Sequence, residues 1–242
     1  MELCKFMSKY NFLQRPACQI VCSAGLKNIK MPPNYDHIVL PEKRRLRFVD
    51  KVPTFMSGNM KVPRTHKNLD LLRGPEEVHN YLIHNQYGLV ALKGGRMTFR
   101  HFEMVRFSIM RKLDTKKMFA VWRVDDPWLP VTKKGLGQRM GGGKGAVDHY
   151  VTPVRPGRII IEIGGKGSYE EVLPYLRSIA SRMPFETIPC NVQILEELKQ
   201  EQEKEKTQNI NPYTTEYLIK NNVGNCRRWM NKMDLKYFGK YL

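Results

Sequence analysis

Apolar residues are patterned most clearly in the middle of the chain, between residues 87 and 190. Five short apolar runs predict strands at 88–93, 118–124, 146–154, 158–163 and 184–190. Two longer stretches repeat apolar residues at helical spacing and predict helices at 98–113 and 168–183. This mixed order predicts an α+β sandwich, in which two helices lie on a mostly antiparallel sheet.

Each predicted helix has one apolar stripe, which we interpret as facing the core rather than as lining a cofactor site. Thr98 is the expected N-cap of the first helix, and Ser168 with Glu171 predicts a capping box for the second. Pro174 predicts a kink, since a proline ring blocks one backbone hydrogen bond. The stripes comprise Phe99, Phe102, Val105, Ile109, Met110 and Leu113 in the first helix, and Val172, Leu173, Leu176, Ile179 and Ala180 in the second.

A glycine-rich loop, residues 133–145, is predicted between two strands. It holds six glycines and four Lys or Arg, and it has no acidic residue. Glycine tolerates positive φ and has no side chain, so the backbone of such a loop can come close to a ligand. The basic residues indicate that this ligand is an anion. The alternative is a solvated, disordered hairpin tip.

The charge balance indicates that this globular domain belongs to a binding protein. The chain has 41 Lys+Arg against 23 Asp+Glu, a net charge of +18 and a pI near 9.8. This excess favours a polyanionic partner, most commonly nucleic acid, although a basic enzyme remains an alternative. The exposed face of the first helix carries Arg100 and Arg111, which either meet phosphates or are solvated. No apolar run is long enough to cross a membrane.

Known chemistry templates fail on explicit spacing. A phosphate-binding loop of the G-x-x-x-x-G-K-[ST] type needs a hydroxyl where Gly145 stands, and Met140 occupies the third glycine position of the dinucleotide pattern. The five cysteines are scattered without a C-x-x-C pair, so we predict no metal, no cofactor and a reducing compartment. No DNA-reading motif is present. Glycine with Arg and Lys suits a structured RNA, and we predict that the protein is not an enzyme.

The rest of the chain divides into flanking segments. Residues 1–35 are basic and acid-poor, which predicts a mitochondrial targeting leader, with an ordered basic arm as the alternative. Residues 36–86 are interpreted as an extended basic segment ending in a short helix that starts near Gly74, or as a solvated linker. Residues 87–190 are the predicted RNA-binding core. Residues 191–242 are a helical, aromatic extension that suits docking on RNA or on another protein.

Two short blocks in the core resemble the large-subunit ribosomal protein sixteen family, of bacterial and organellar type. The family's R-M-G-K-G-K-G block is matched by Arg139, Met140, Gly141, Gly143, Lys144 and Gly145. Its G-R-L-T block is matched by Gly95, Arg96, Met97 and Thr98. Gly142 departs from the pattern, because bacterial members usually carry Lys there, so one phosphate contact is in doubt.

The resemblance implies an α/β-hammerhead fold and a place on large-subunit rRNA, beside the aminoacyl-tRNA site and among neighbouring large-subunit proteins. The family is not catalytic, and the leader and long tail indicate a mitochondrial member in the matrix. An extraribosomal RNA-binding protein of the matrix is the alternative function. We expect RNA contacts from Arg96, Arg100, Arg111, Lys133, Lys134, Arg139, Met140, Gly141, Gly143, Lys144 and Gly145.

Overall fold

The computed structural model describes residues 34, 35, 37–54, 65 and 68–241. The predicted targeting leader therefore lies almost entirely outside the described residues. The chain divides into two units, residues 1–37 and 38–242, and every helix and strand given below belongs to the second unit.

In the described residues, seven strands form two sheets in which all paired strands are antiparallel. A four-stranded sheet has the order β3-β6-β1-β7, and a three-stranded sheet has the order β2-β5-β4. The strands are β1 (Tyr87–Ala91), β2 (Gly95–Thr98), β3 (Met118–Trp122), β4 (Leu129–Lys133), β5 (Ala146–Val154), β6 (Ile159–Gly165) and β7 (Thr187–Asn191). The α+β class predicted from the sequence is confirmed, with two sheets where one was expected.

Two strands were missed by the sequence prediction, and each has a physical reason. No strand was predicted between residue 93 and the helix at 98, but Gly95 begins β2, where it pairs with Val154 and where a Cβ would lie 2.2 Å from the Phe185 ring. The strand before the glycine-rich loop is β4, not β3. Pro130 obscured β4, because proline is tolerated in a strand only at positions such as the sheet edge that β4 occupies.

Helices α1 (Phe99–Met110) and α2 (Tyr169–Ala180) pack against each other and contribute to the main core. Phe102, Val105 and Ile109 of α1 are fully buried there, as their spacing predicted. On α2, Tyr175 is buried where Leu173 was expected. Leu46 and Val49 from the N-terminal segment complete the same core.

The helix ends differ in detail from the prediction. The side chain of Ser168 makes no capping hydrogen bond, so the capping box expected with Glu171 is not formed. The acidic side chains of the first turn instead interact favourably with the positive end of the helix dipole. At α1, Thr98 is the N-cap residue, as predicted. Its backbone N–H donates to Nδ1 of His101 at 3.0 Å, and burial lowers the pKa of His101. Helix α2 is continuous through Pro174, which is the sixth of its twelve residues.

The opposite face of the four-stranded sheet is covered by residues 75–86, and here the prediction of a short helix from Gly74 is wrong. The segment is irregular because tertiary contacts override the local pattern: Leu82 is buried, and the backbone N–H of Ile159 donates to the His79 carbonyl at 3.0 Å. A Cβ on Gly88 would lie 2.8 Å from the Leu82 side chain. The helical element described before β1 is a single 3₁₀ turn, Leu69–Leu71.

Glu162 is the one charged side chain among the described residues that is completely buried, and it fastens this segment to the sheet. Its carboxylate accepts from the backbone N–H of His84 at 2.5 Å and lies 3.6 Å from Arg123 Nε. A buried carboxylate needs such partners, since desolvating it alone is costly.

The C-terminal extension is helical, as predicted. It comprises α3 (Val192–Gln208), α4 (Thr215–Lys220), a 3₁₀ segment Val223–Arg228, and α5 (Lys232–Tyr237). Asn191 caps α3 by accepting from the Ile194 N–H at 2.7 Å, yet α3 has no buried residue. Asp234 of α5 pairs with Arg73 at 2.8 Å, which attaches the extension to the residues before β1.

The core assignment predicts the effect of truncating one phenylalanine. Phe102 is fully buried and its ring centroid lies 5.2 Å from that of Trp122, so Phe102→Ala should lower the free energy of unfolding by about 3–5 kcal/mol. Phe107→Ala on the same helix is the matched control, because Phe107 is half exposed. Urea unfolding of the full chain measures both, and equal losses would contradict the assignment.

Candidate nucleic-acid interface

The glycine-rich loop emerges from the β4–β5 hairpin. Lys133 pairs with Ala146 at the last position of the ladder, and a register shift lies between Val131 and Thr132. A Cβ on Gly145 would lie 2.5 Å from the Lys133 carbonyl oxygen. Without a side chain at 145, strands β4 and β5 can approach each other this closely at the point where the loop begins.

Inside the loop, the glycines allow an unusual backbone conformation and are not needed to avoid a steric clash. Gly137, Gly141, Gly142 and Gly143 all have positive φ, between 64° and 98°. A Cβ at any of them would meet nothing within 4 Å. The loop backbone therefore follows a path that other residues adopt with difficulty, and it leaves its peptide groups open to a ligand.

The basic residues of the loop have different surroundings. Lys134 Nζ donates to the carbonyl of Gly141 and, at 3.4 Å, to that of Arg139, so this ammonium bridges the loop internally. The Arg139 side chain is exposed and makes no hydrogen bond or ion pair with any of the residues described. Met140 beside it is 97% exposed. Arg139 is thus the loop cation best placed to meet an external anion.

Lys144 and Arg96 line the same depression on the three-stranded sheet. This depression has a volume of about 280 Å³, and Lys144 Nζ donates to the Thr65 carbonyl. Arg96 reaches this place because β2 pairs with β5, opposite Pro153, and its Nε has no hydrogen-bond partner among the described groups. Two residues far apart in the sequence therefore present positive charge at one site.

The two arginines predicted on the exposed face of α1 lie at opposite ends of the helix. Arg100 lies in the first turn, next to β2, whereas Arg111 is the C-cap residue. Eleven residues of helix separate them by about 16 Å. Both are exposed, but only Arg100 follows directly on the strand that carries Arg96.

An Asp–His pair on β5, which the sequence prediction overlooked, places a carboxylate near the loop base. Asp148 and His149 are joined by a 2.9 Å contact between carboxylate and ring nitrogen. This hydrogen bond and the nearby Lys133 ammonium lower the pKa of Asp148. Lys133 therefore has an acidic neighbour, which Arg139 lacks.

Adjacent carboxylates elsewhere are used in ion pairs. Asp125 lies 3.5 Å from Arg158, while Asp126 pairs with Arg47 at 2.7 Å, so the two side chains point to different partners. Within the described ranges no three His, Cys, Asp or Glu side chains cluster as metal ligands. Of the helices described, none combines the length and the apolar character needed to cross a bilayer.

Comparison with known proteins identifies sequence relatives of this chain. The family model described as ribosomal protein L16p/L10e matches residues 58–188. The large ribosomal subunit protein uL16 of Leptospira biflexa is 35% identical over 116 residues, which are 48% of this chain and 82% of that protein. The uL16 proteins of a Sulfurihydrogenibium species and of Porphyromonas gingivalis are 38% and 36% identical over 48% of this chain, and over 81% and 78% of their own lengths.

The structure generates a prediction for the loop base. Gly145→Ala should force the Lys133 carbonyl away and loosen the end of the hairpin, because their contact would be far below van der Waals distance. Amide hydrogen exchange of the residues flanking the loop should accelerate at least about tenfold, the equivalent of roughly 1.4 kcal/mol. Gly135→Ala is the control: Gly135 is not among the glycines with positive φ, and its added Cβ would meet only the Gln138 side chain at 3.8 Å, so exchange at Lys133 and Ala146 should stay unchanged.

Proposed function

Because this chain belongs to the ribosomal protein L16p/L10e family, we propose that it is a structural constituent of the large ribosomal subunit. The observation that carries the proposal is the extent of the family match, residues 58–188, which includes both sheets up to residue 188 and the whole glycine-rich loop. Its role is to order RNA and support translation, and no chemical step is assigned to it.

In this proposal the loop binds large-subunit rRNA. Its twelve residues between β4 and β5, doubled back as a hairpin, reach about 20 Å from the body. Arg139 supplies a planar guanidinium that can bind one phosphate through two hydrogen bonds. The glycines at 141–143 let phosphate or sugar groups approach the backbone, and Arg96 with Lys144 contacts RNA at the loop base.

We further propose that the loop lies near the aminoacyl-site tRNA and that the ribosome is mitochondrial. The support for the tRNA is the R-M-G-x-G-K-G block of the loop, through its family resemblance. The support for the compartment is the basic, acid-poor composition of residues 1–35. The relatives named above are bacterial, so the compartment rests on this composition alone.

Sedimentation tests the proposed function directly. The tagged full chain, expressed in its own cells, should be recovered with large ribosomal subunits and with mitochondria after fractionation. Recovery of the chain on messenger RNA, free of assembled subunits, would overturn the proposal in favour of an extraribosomal RNA-binding protein. Recovery with subunits of the cytosol would overturn only the compartment.

Arg139→Ala tests the loop. Because the side chain is exposed and unpaired among described groups, the free energy of unfolding should change by less than about 0.5 kcal/mol. The loss of a charge-assisted contact should weaken rRNA association about tenfold and reduce late assembly or translation. Incorporation into large subunits and peptide synthesis by those subunits are the measurements. Arg182→Ala removes an exposed arginine just after α2 and serves as control; equal effects of both changes would argue against the loop.

A further inference from the structure

A second basic surface lies on the N-terminal segment, residues 42–49, outside the family match at 58–188. Four of its residues are basic and one is acidic: Lys43, Arg44, Arg45 and Arg47 against Glu42. The sequence left open whether this region is a solvated linker. The structure shows it as an anchored segment.

The anchors are two buried side chains and two hydrogen bonds. Leu46 and Val49 are each 5% exposed and belong to the main core. The backbone N–H of Ala120 donates to the Arg44 carbonyl at 3.0 Å, and Trp122 Nε1 donates to the Arg47 carbonyl at 3.1 Å. The segment thus runs along β3, the edge strand of the four-stranded sheet, and its exposed side chains have fixed positions.

Those exposed side chains include an aromatic ring stacked on a cation. The Arg106 guanidinium lies 4.2 Å from the Phe48 ring centroid and 4.4 Å from that of Phe107. Glu103 holds Arg106 through two hydrogen bonds of 3.0 and 2.6 Å. Phe48 nevertheless remains 75% exposed, so a large part of its surface is open to stacking.

Further cations adjoin the segment. Arg44 Nη1 donates to the carbonyls of Thr115 and Lys116 at 3.0 and 3.3 Å, which joins the segment to the α1–β3 connection. A depression of about 670 Å³ opens between them, with Ala120 and Trp122 in its wall. The exposed basic residues of the connection are Arg111, Lys112, Lys116 and Lys117.

We propose that this surface, residues 43–48 with the α1–β3 connection, is a second RNA site that binds an unpaired nucleotide on Phe48 and the adjoining phosphates on Lys43 and Arg45. The chemistry supports RNA rather than an acidic protein surface. Lys43 and Arg45 have no ion-pair partner among the residues described, and an unpaired base stacks well on an exposed aromatic ring. Arg47, which pairs with Asp126, contributes less.

The stacking part of the proposal is tested with the full chain and a 12-nucleotide single-stranded oligouridine at physiological salt, followed by fluorescence anisotropy. Phe48→Ala should weaken binding about fivefold or more, and Phe48→Trp should restore it. Ile210→Ala, which removes another exposed apolar side chain, is the control and should leave the affinity unchanged. Equal affinities of the Phe48→Ala and Ile210→Ala chains would overturn the proposal.

The phosphate contacts are tested by the salt dependence of the same binding. Lys43→Gln combined with Arg45→Gln should reduce the slope of log affinity against log salt by about 1.4, since each single-strand phosphate contact contributes about 0.7. Lys204→Gln combined with Lys206→Gln on α3 removes the same charge from an exposed helix and is the control. Identical slopes in the two double variants would overturn the assignment of Lys43 and Arg45.

Because the biological ligand is rRNA only if the proposed function holds, a third measurement separates the two proposals. Ultraviolet irradiation of particles containing the full chain should yield a nucleotide adduct on the peptide with Phe48, and the adduct should be lost in Phe48→Ala. Absence of the chain from large subunits would overturn the proposed function alone. A chain that is incorporated, but whose Phe48 peptide is linked to another protein or yields no nucleotide while loop peptides do, would overturn the second site.

Discussion

The pairing of β5 with both β2 and β4 is the constraint on which the candidate interface depends. Residues 150–154 of this nine-residue strand are buried, so it cannot shift relative to its neighbours without disturbing the body. The pairing places Arg96 in the wall of the depression that Lys144 also lines, and α1 begins directly after β2. A loop with so many glycines has high conformational entropy, and only a rigid base gives its tip a defined position.

The count of 41 Lys and Arg overstates the number of cations that are available to a partner. Arg123 faces Glu162, and Arg158 faces Glu76 and Asp125. Arg106 pairs with Glu103. These three guanidiniums are therefore used in ion pairs within the protein. The Arg44 guanidinium is also used within the protein, because it donates a hydrogen bond to a backbone carbonyl. Arg139 and Arg45, by contrast, are exposed without such partners in the described structure. The cations free to meet a partner are therefore fewer than the formal count of Lys and Arg suggests.

The sequence predicted what depends on local periodicity and missed what depends on tertiary contact. The stripe of Phe102, Val105 and Ile109 is an apolar face that any helix must bury, and it was found. The strand around Pro130 and the irregular course from Gly74 were not, because each is stabilised by partners distant in the sequence. At the candidate site, composition identified the loop and its cations. It could not show that Lys134 bridges the loop or that Arg96 and Lys144 line one depression, since both follow from folding.

The two basic surfaces differ in how much order they have before any partner binds. A Cβ on any of the four positive-φ glycines of the loop would meet nothing within 4 Å, so no packing holds the loop there and fixing it on RNA would cost conformational entropy. In residues 42–49, buried Leu46 and Val49 interleave with exposed Arg45, Arg47 and Phe48, so the backbone is already immobilised by the core. Less ordering free energy is lost there on association, and a few contacts suffice for useful affinity.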